Sequence, residues 1–306
     1  MKILLLGCNG QVGWELQRAL APFGEITAPT RTEEGGLCGD LTRLERLAAT
    51  VRKVAPDVIV NAAAYTAVDQ AESEPELAHA VNATAPEVLA AEANALGAWL
   101  VHYSTDYVFD GTGADPWCED DATGPLNVYG QTKREGEVAI QASGCRHLIF
   151  RTSWVYASRG RNFIRTMLRL AAERDALQVI DDQFGAPTGA ELIADTTAQI
   201  LSHPLDRAGI AGLYHLAAAG ETTWHGFARL VLTTARDAGW PVRVVDQAIQ
   251  AVSMEAFPTA ARRPGNSRLN CKKLEDTFDL QMPEWRRGAL RAVDEILACE
   301  ATGGRA

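Results

Sequence analysis

The chain opens on a segment that leaves few folds available. Lys2-Ile3-Leu4-Leu5-Leu6 is a short apolar run, and Gly7-Cys8-Asn9-Gly10-Gln11-Val12-Gly13 follows it directly, leading into an amphipathic stretch that reaches Ala21. An apolar run of this length bounded by glycine reads as a buried strand, and the stretch after the glycines as a helix. Glycines spaced G-x-x-G-x-x-G between them permit a tight turn, let a pyrophosphate approach the backbone, and allow the helix to pack closely on the strand. The unpaired N–H groups and positive dipole end of the helix then face the phosphates. Three glycines in a loop are common, but three between a strand and a helix are specific. Gly7, Gly10, Gln11, Val12 and Gly13 are therefore candidate contacts of a dinucleotide.

Strand-like and helix-like segments keep alternating beyond that point. Residues 25–28 read as a second strand, 41–54 as a helix with Asp40 as its N-cap, and 57–61 as a third strand. Pro75 sits in the first turn of an alanine-rich helical stretch running to Leu96, with a break expected near Pro86 and Gly97 as the C′ residue. Residues 99–103 form a fourth strand, 131–143 a helix and 147–151 a fifth strand. This order predicts an α/β fold, a Rossmann-type doubly wound parallel sheet. After residue 155 the pattern loosens into short strands (178–180, 213–216, 242–245) and helices (190–201, 224–238, 284–299). Residues 1–155 are expected to form the NAD(P)-binding domain, with later segments returning to it. Residues 156–306 are expected to form mainly a smaller, interleaved substrate-binding region beside the sheet edge.

Composition narrows the ligands. The six cysteines are scattered with no C-x-x-C pair, which argues against a zinc site or a disulfide framework. A net charge of −10 is the opposite of the basic surplus a nucleic-acid binder shows. A small anion, by contrast, needs only a few arginines and a helix N-terminus. The apolar runs are too short to span a bilayer, and the first strand leaves no room for a signal peptide, so a cytoplasmic protein with no membrane partner is expected.

The end of the second strand distinguishes the two nicotinamide cofactors, since an acid there binds a ribose 2′-OH and an arginine accommodates a 2′-phosphate. Here the chain reads Ala28-Pro29-Thr30-Arg31-Thr32, with no acid before Glu33. Arg31 is expected to cap a 2′-phosphate, so that NADPH is preferred over NADH; its alternative is a solvated loop arginine. Asp40, next to Leu41, is placed to reach the adenine. Ala62, Ala63 and Ala64 end the third strand with side chains small enough to leave room for the dinucleotide.

Tyr129-Gly130-Gln131-Thr132-Lys133 puts a tyrosine and a lysine on one face of a helix. A neighbouring ammonium favours the phenolate and is expected to lower the Tyr129 pKa from ~10 toward working pH. Tyr129 is then a general acid for an alkoxide forming at a carbonyl carbon. Lys133 is also placed to hold the nicotinamide ribose. The fourth strand ends in Tyr103-Ser104-Thr105-Asp106-Tyr107, with hydroxyls at the strand end where open α/β sheets bind ligands. Thr105, or Ser104, is the expected donor to the reacting carbonyl oxygen. A lone Y-x-x-x-K is weak; following a glycine loop and a hydroxyl-bearing strand end, it is strong.

These residues resemble the extended short-chain dehydrogenase/reductase family and, within it, the dTDP-4-dehydrorhamnose reductases. The resemblance runs through Gly10-Gln11-Val12-Gly13-Trp14-Glu15-Leu16, Val60-Asn61-Ala62-Ala63-Ala64-Tyr65-Thr66, Ser104-Thr105-Asp106-Tyr107-Val108-Phe109 and Pro125-Leu126-Asn127-Val128-Tyr129-Gly130. More specific to that branch are Arg151-Thr152-Ser153-Trp154-Val155-Tyr156, Gly185-Ala186-Pro187-Thr188 and Arg263-Pro264-Gly265-Asn266-Ser267-Arg268. It implies reduction of the C4 ketone of dTDP-4-dehydro-β-L-rhamnose to dTDP-L-rhamnose, the last step of dTDP-rhamnose biosynthesis. In that reaction Tyr129 protonates the C4 oxygen, Thr105 assists, and Lys133 supports Tyr129 and the ribose. The resemblance further implies that Ser104, Thr105, Asp106 and Trp154 meet the dTDP-sugar, and that Ala186, Pro187, Arg263 and Arg268 line the dTDP site. The plain alternative for each arginine is a surface ion pair. Some members dimerise through a Mg2+ ion held by glutamates, and Glu15 and Glu191 fall at the corresponding places, which implies a homodimer; taken by themselves both are ordinary solvated acids. Many relatives carry an acid where Thr30 stands, a departure that again favours NADPH. Two competing readings are a nucleotide-sugar 4-epimerase, which keeps its NAD bound, and a non-catalytic subunit resembling the methionine adenosyltransferase β subunit. The intact Tyr129/Lys133 pair and glycine loop stand against the second.

Overall fold

A computed structural model of the chain describes residues 1–203 and 209–303. Six strands, all parallel, make the central sheet: β1 (Lys2–Leu6), β2 (Glu25–Thr27), β3 (Val58–Asn61), β4 (Trp99–Thr105), β5 (Arg146–Thr152) and β6 (Gly212–His215). Their spatial order is β2-β1-β3-β4-β5-β6. The interior strands β3 and β4 are buried along their whole length. Helices cover both faces of such a sheet, which is why these strands read as continuous apolar runs and not as alternating ones.

On one face Ile3 and Leu5 pack with Leu16 of α1 (Gln11–Leu20) and with Ile193 and Ile200 of a later helix, Ala190–Ser202. On the other, Leu4 and Leu6 meet Leu47 of α2 (Leu44–Val54), Leu89 of α3 (Ala85–Leu96) and Ile140 of α4 (Val128–Ala142). A separate apolar cluster joins α5 (Phe163–Glu173), α7 (Trp224–Asp237) and α8 (Trp285–Gly303) through Ile164, Leu168, Phe227, Val231, Trp285 and Val293. The helix Ala190–Ser202, α6 in chain order, and strand β6 carry the later chain back to the sheet, β6 pairing with β5. Among the described residues no helix is long and apolar enough to cross a membrane.

Several boundaries differ from the sequence reading, each for a local reason. The helix expected from residue 41 starts at Leu44. Asp40 is not its N-cap, because the Asp40 carboxylate accepts the Thr42 N–H and hydroxyl at 3.0 and 2.8 Å and makes a turn instead. The break near Pro86 is a π turn, Ala80–Thr84, between the short helix Pro75–His79 and α3. Proline lacks the N–H that would bond the Asn82 carbonyl, and the wider turn accommodates its ring. Gly97 ends α3 at φ +66° as expected. Helix α4 begins three residues before the expected Gln131, because the Asn127 side chain caps it by accepting the Gly130 N–H at 2.8 Å. The strand expected at 242–245 is absent; Ile249–Val252 pairs with Leu177–Ile180 in its place. Helix α5 has no counterpart in the sequence reading.

Candidate active site

β2 and β3 lie on opposite sides of β1, so the connections leave β1 and β3 in opposite directions and a crevice opens at their C-terminal ends. A cleft of about 1020 Å³ occupies this place. Its nucleotide end is made by backbone. Gly7 has φ +81°, and a Cβ there would lie 2.6 Å from the Ala63 nitrogen. A Cβ on Gly13 would lie 2.1 Å from the Gly7 carbonyl oxygen, so α1 rests directly on the loop. Gly10 is the N-cap of α1 and supplies no side-chain hydrogen bond, leaving the first N–H groups of the helix for a ligand. A cradle that no Cβ would fit, closed by an uncapped helix N-terminus, fits the pyrophosphate of a dinucleotide.

Gly7, Gly10, Gln11, Val12, Thr30, Arg31, Asp40, Leu41 and the three alanines Ala62, Ala63 and Ala64 all line this cleft. Gly13 does not; it lies beneath the loop and acts through packing. The Gly39 N–H bonds the Thr30 carbonyl at 2.9 Å, closing the 30–39 loop and holding Thr30 and Arg31 at the rim. Glu33 approaches Arg43 and Arg46, at 3.5 and 3.8 Å, and is absent from the cleft lining, which leaves Arg31 as the charged group that the 30–33 turn presents to it.

The other end of the cleft joins the end of β4 to the start of α4. Gly130 lets α4 descend onto β4's extension, since a Cβ there would lie 2.1 Å from the Tyr107 carbonyl oxygen. Ser104, Thr105, Asp106, Tyr107, Tyr129, Lys133 and Trp154 line this end. The Thr105 hydroxyl donates to Asp106 Oδ1 at 3.1 Å and accepts the Tyr107 N–H at 3.2 Å. Burial pushes the Tyr129 phenol well above its ordinary range, with the Thr105 hydrogen bond acting the other way. Burial also pushes Asp106 up to about 6, against hydrogen bonds from Ser267 and Thr105. Tyr107, which no sequence signal singles out, packs edge-on against Tyr129 with ring centres 5.5 Å apart.

Lys133 corrects the expectation attached to it. It lies one turn from Tyr129 on α4, but its Nζ donates to the Tyr103 carbonyl at 2.6 Å and meets His102 Nε2 at 3.1 Å. Burial lowers its own pKa to about 8, with Glu137 pulling upward. The expected lowering of Tyr129 by Lys133 is therefore not found; burial of the phenol dominates.

Trp154 stands at the far end of the cleft lining. Its backbone has φ +50°, and its ring stacks on Trp224 at 3.7 Å and 12°. Gly185 closes on this ring, a Cβ there lying 2.7 Å from Trp154 Cε2. Ala186 is buried, and its carbonyl oxygen accepts hydrogen bonds from the Ser153 and Thr188 hydroxyls. Ala186 and Pro187, expected to line the ligand site, lie off the cleft lining. The 263–268 segment is brought alongside by backbone bonds of Phe184 N–H to the Gly265 carbonyl and Ser267 N–H to the Phe184 carbonyl, both 2.8 Å. Arg263 pairs with Asp69 at 2.5 Å and reaches the Tyr107 hydroxyl at 3.4 Å. Arg268 pairs with Glu221 at 2.8 Å and lies over the Phe184 ring; both arginines lie off the cleft lining, in the ion pairs that are their plain alternative. Glu15 and Glu191 lie outside the cleft lining, engaged by Arg18 and Arg291, each at 3.4 Å. Among the described residues no group of three or more metal-ligating side chains assembles.

Known proteins resemble this chain along nearly its whole length. A sequence model described as the RmlD substrate binding domain matches residues 1–298. The dTDP-4-dehydrorhamnose reductase of Salmonella typhimurium is 58% identical over 297 residues, covering 97% of this chain and 98% of the relative. That of Escherichia coli K12 is 56% identical over 301 residues, covering 98% of this chain and all of the relative. Among solved structures, the Bacillus anthracis dTDP-4-dehydrorhamnose reductase in complex with NADP superposes with a TM-score of 0.85 at 34% identity, covering 96% of this chain and 99% of that one.

Proposed function

Because this chain belongs to the dTDP-4-dehydrorhamnose reductase family, we propose that its cleft divides the NAD(P)H-dependent reduction of dTDP-4-dehydrorhamnose between a nucleotide wall, a proton donor and a sugar wall. The nicotinamide cofactor, when bound, supplies the hydride for C4. Gly7, Gly10 and the open N-terminus of α1 hold its pyrophosphate, and Ala62 to Ala64 keep the third strand's end clear of it. Lys133 orients the nicotinamide ribose.

Tyr129 carries the proton. Burial keeps the phenol protonated throughout the neutral range, so it releases its proton only to a base as strong as an alkoxide. The oxygen at C4 becomes such a base as the carbonyl is reduced, and Tyr129 then passes its proton to it. Thr105 fixes the phenol by hydrogen bonding, its own position set by Asp106 and the Tyr107 N–H. The observation that carries this reading is the convergence of Thr105, Tyr129 and Lys133 on a cleft continuous with the glycine cradle. NADPH oxidation with dTDP-4-dehydrorhamnose tests it: Tyr129→Phe should lower kcat by about 10²–10⁴-fold, and an unchanged kcat removes Tyr129 from the mechanism.

Trp154, braced by Trp224, gives the sugar a flat wall, and Arg263 and Arg268 meet the diphosphate. Their partners Asp69 and Glu221 are about half exposed, while the two guanidiniums are largely buried. A diphosphate, which carries more charge than either carboxylate and accepts bidentate bonds, can take the place of these partners. At the other end Arg31 caps the adenosine 2′-phosphate and gives a preference for NADPH. Arg31→Ala should reduce kcat/KM for NADPH by about tenfold, the order of one charge-assisted contact, while sparing NADH. A wild-type enzyme that favours NADH overturns this assignment.

A further inference from the structure

Lys133 is held from behind by a buried chain of groups that the reaction above does not use. His102, on β4, puts Nε2 3.1 Å from Lys133 Nζ and Nδ1 3.1 Å from Asn61 Nδ2, on β3. All three side chains are only 1% exposed, so no water shares these contacts and each hydrogen must be accounted for.

The accounting has a direction. The Asn61 carboxamide cannot turn freely, because its Oδ1 accepts the Ala63 N–H at 3.2 Å. Its NH2 group therefore faces the imidazole, and Nδ1 must offer a lone pair. A neutral ring then carries its proton on Nε2, which points at Lys133. For that contact to be a hydrogen bond, Lys133 Nζ must accept, as an amine does and an ammonium cannot. The amine still has two N–H bonds, one of which goes to the Tyr103 carbonyl.

From this geometry we infer that His102 is a positioning residue whose tautomer, imposed by Asn61, holds Lys133 as a hydrogen-bond-accepting amine at the floor of the active site. The inference rests on the reading that Lys133 serves the reaction, and it adds that the lysine's charge is conditional. Other charges around the lysine are consistent with it. Glu137, one turn along α4, is the carboxylate whose field reaches Lys133, but it is bonded to Arg151 of β5 at 2.9 and 2.7 Å and to Arg134 of its own helix at 3.2 Å. On β4 the neighbour is His102, which burial and then Lys133 keep far from protonation. Tyr129, on the same helix, stays neutral. Lys133 accordingly takes up a proton only below about 8, and doing so requires the Asn61–His102 bond to reverse. Activity that needs the ammonium should then fall along a basic limb near that pH, well below an ordinary lysine's.

Two measurements test this, and only one depends on turnover. In 15N-histidine spectra of the full chain at pH 9, His102 should carry its proton on Nε2, and as Lys133 takes up its proton on acidification the ring should pass to the Nδ1–H form while staying neutral down to about pH 5, since burial holds it far below its ordinary range. Its signals are assigned as those missing from His102→Gln, or by cross-peaks to the Lys133 methylenes should that variant not fold. Asn61→Asp keeps the shape of the side chain but accepts from Nδ1, so the proton moves there and Nε2 turns its lone pair to an ammonium. The tautomer should switch, and the basic limb of kcat at saturating cofactor and sugar should move up by at least one pH unit. A wild-type His102 protonated at pH 9 on Nδ1, or on both nitrogens, overturns the inference, as does an Asn61→Asp protein in which tautomer at pH 9 and basic limb both stay put. If instead Lys133→Met is fully active while His102 shows the Nε2–H form, the reading of Lys133 as a participant fails and the tautomer assignment stands.

Discussion

The two walls of the cleft are built by different means. At the nucleotide wall, backbone meets backbone: Gly13 against the Gly7 carbonyl, Gly7 against Ala62 and Ala63. At the sugar wall, side chain meets side chain: Trp154 on Trp224, Arg268 over Phe184. The strand pairings behind it are only two residues long, Val155–Tyr156 with Thr188–Gly189 and Phe184–Gly185 with Thr222–Thr223. Contact between backbones has no slack, whereas stacked side chains can shift and repack. One wall should therefore fail abruptly and the other by degrees.

Gly13→Ala is the largest expected effect. Its methyl would stand 2.1 Å from a backbone oxygen, and neither α1 nor β1 can retreat without opening a core packed at crystal density. The variant should lose measurable dinucleotide binding and several kcal/mol of stability, of the order seen for severe overpacking. Calorimetric titration with NADPH and a thermal melt check both; near-normal affinity would mean that the loop is softer than its contacts indicate.

Trp154 sharpens the other half of the comparison because its ring and its backbone can be separated. Trp154→Ala should raise KM for the dTDP-sugar by about 10–100-fold, the loss of about 1.4–3 kcal/mol of aromatic contact, with KM for NADPH unchanged. Trp154→Gly should cost the sugar as much. Its fold should nevertheless be more stable than that of Trp154→Ala by about 1 kcal/mol, since glycine takes a positive φ without strain. Equal stability of the two variants would show that the backbone at φ +50° is not strained.

The same contrast explains what can be read from the chain. Strands β1, β3 and β4 and the glycine cradle are legible because local rules suffice: apolar runs, glycine spacing and a helix start within a dozen residues. Tyr129 and Lys133 are legible as a pair on one helix face. Their environment is not, because His102 and Asn61 come from two other strands and the direction of Lys133 is set by tertiary contact. The true start of α4 does carry a local signal, Asn127, a strong N-cap residue three positions before Gly130. Trp154, Ala186, Pro187, Arg263 and Arg268 can be nominated only through resemblance. Nothing periodic links residues that meet by two-residue strands and single ion pairs. Trp224 carries no signal at all.

Asp106 sits where the two walls join and gives the smallest effect, on stability more than on binding. Its carboxylate accepts from Thr105 at Oδ1 and is reached by Ser267, but burial outweighs both. Burial raises its pKa to about 6, above the unfolded value of about 3.9. Between those values the folded chain binds more protons than the unfolded one, so stability should rise as pH falls from 6 toward 4 and be lowest where Asp106 is ionised. Asp106→Asn removes the charge and nearly keeps the shape. It should stabilise the fold at pH 8 by an amount on the order of 1–2 kcal/mol, discounted from the roughly 1.36 kcal/mol that accompanies each tenfold loss of acidity. At pH 4 the folded side chain is neutral in both proteins, and the effect should be small. Urea denaturation at the two pH values measures the difference directly. A gain that is the same at both would place its origin in packing, and a loss at pH 8 would mean that the carboxylate holds Thr105 more tightly than its burial costs.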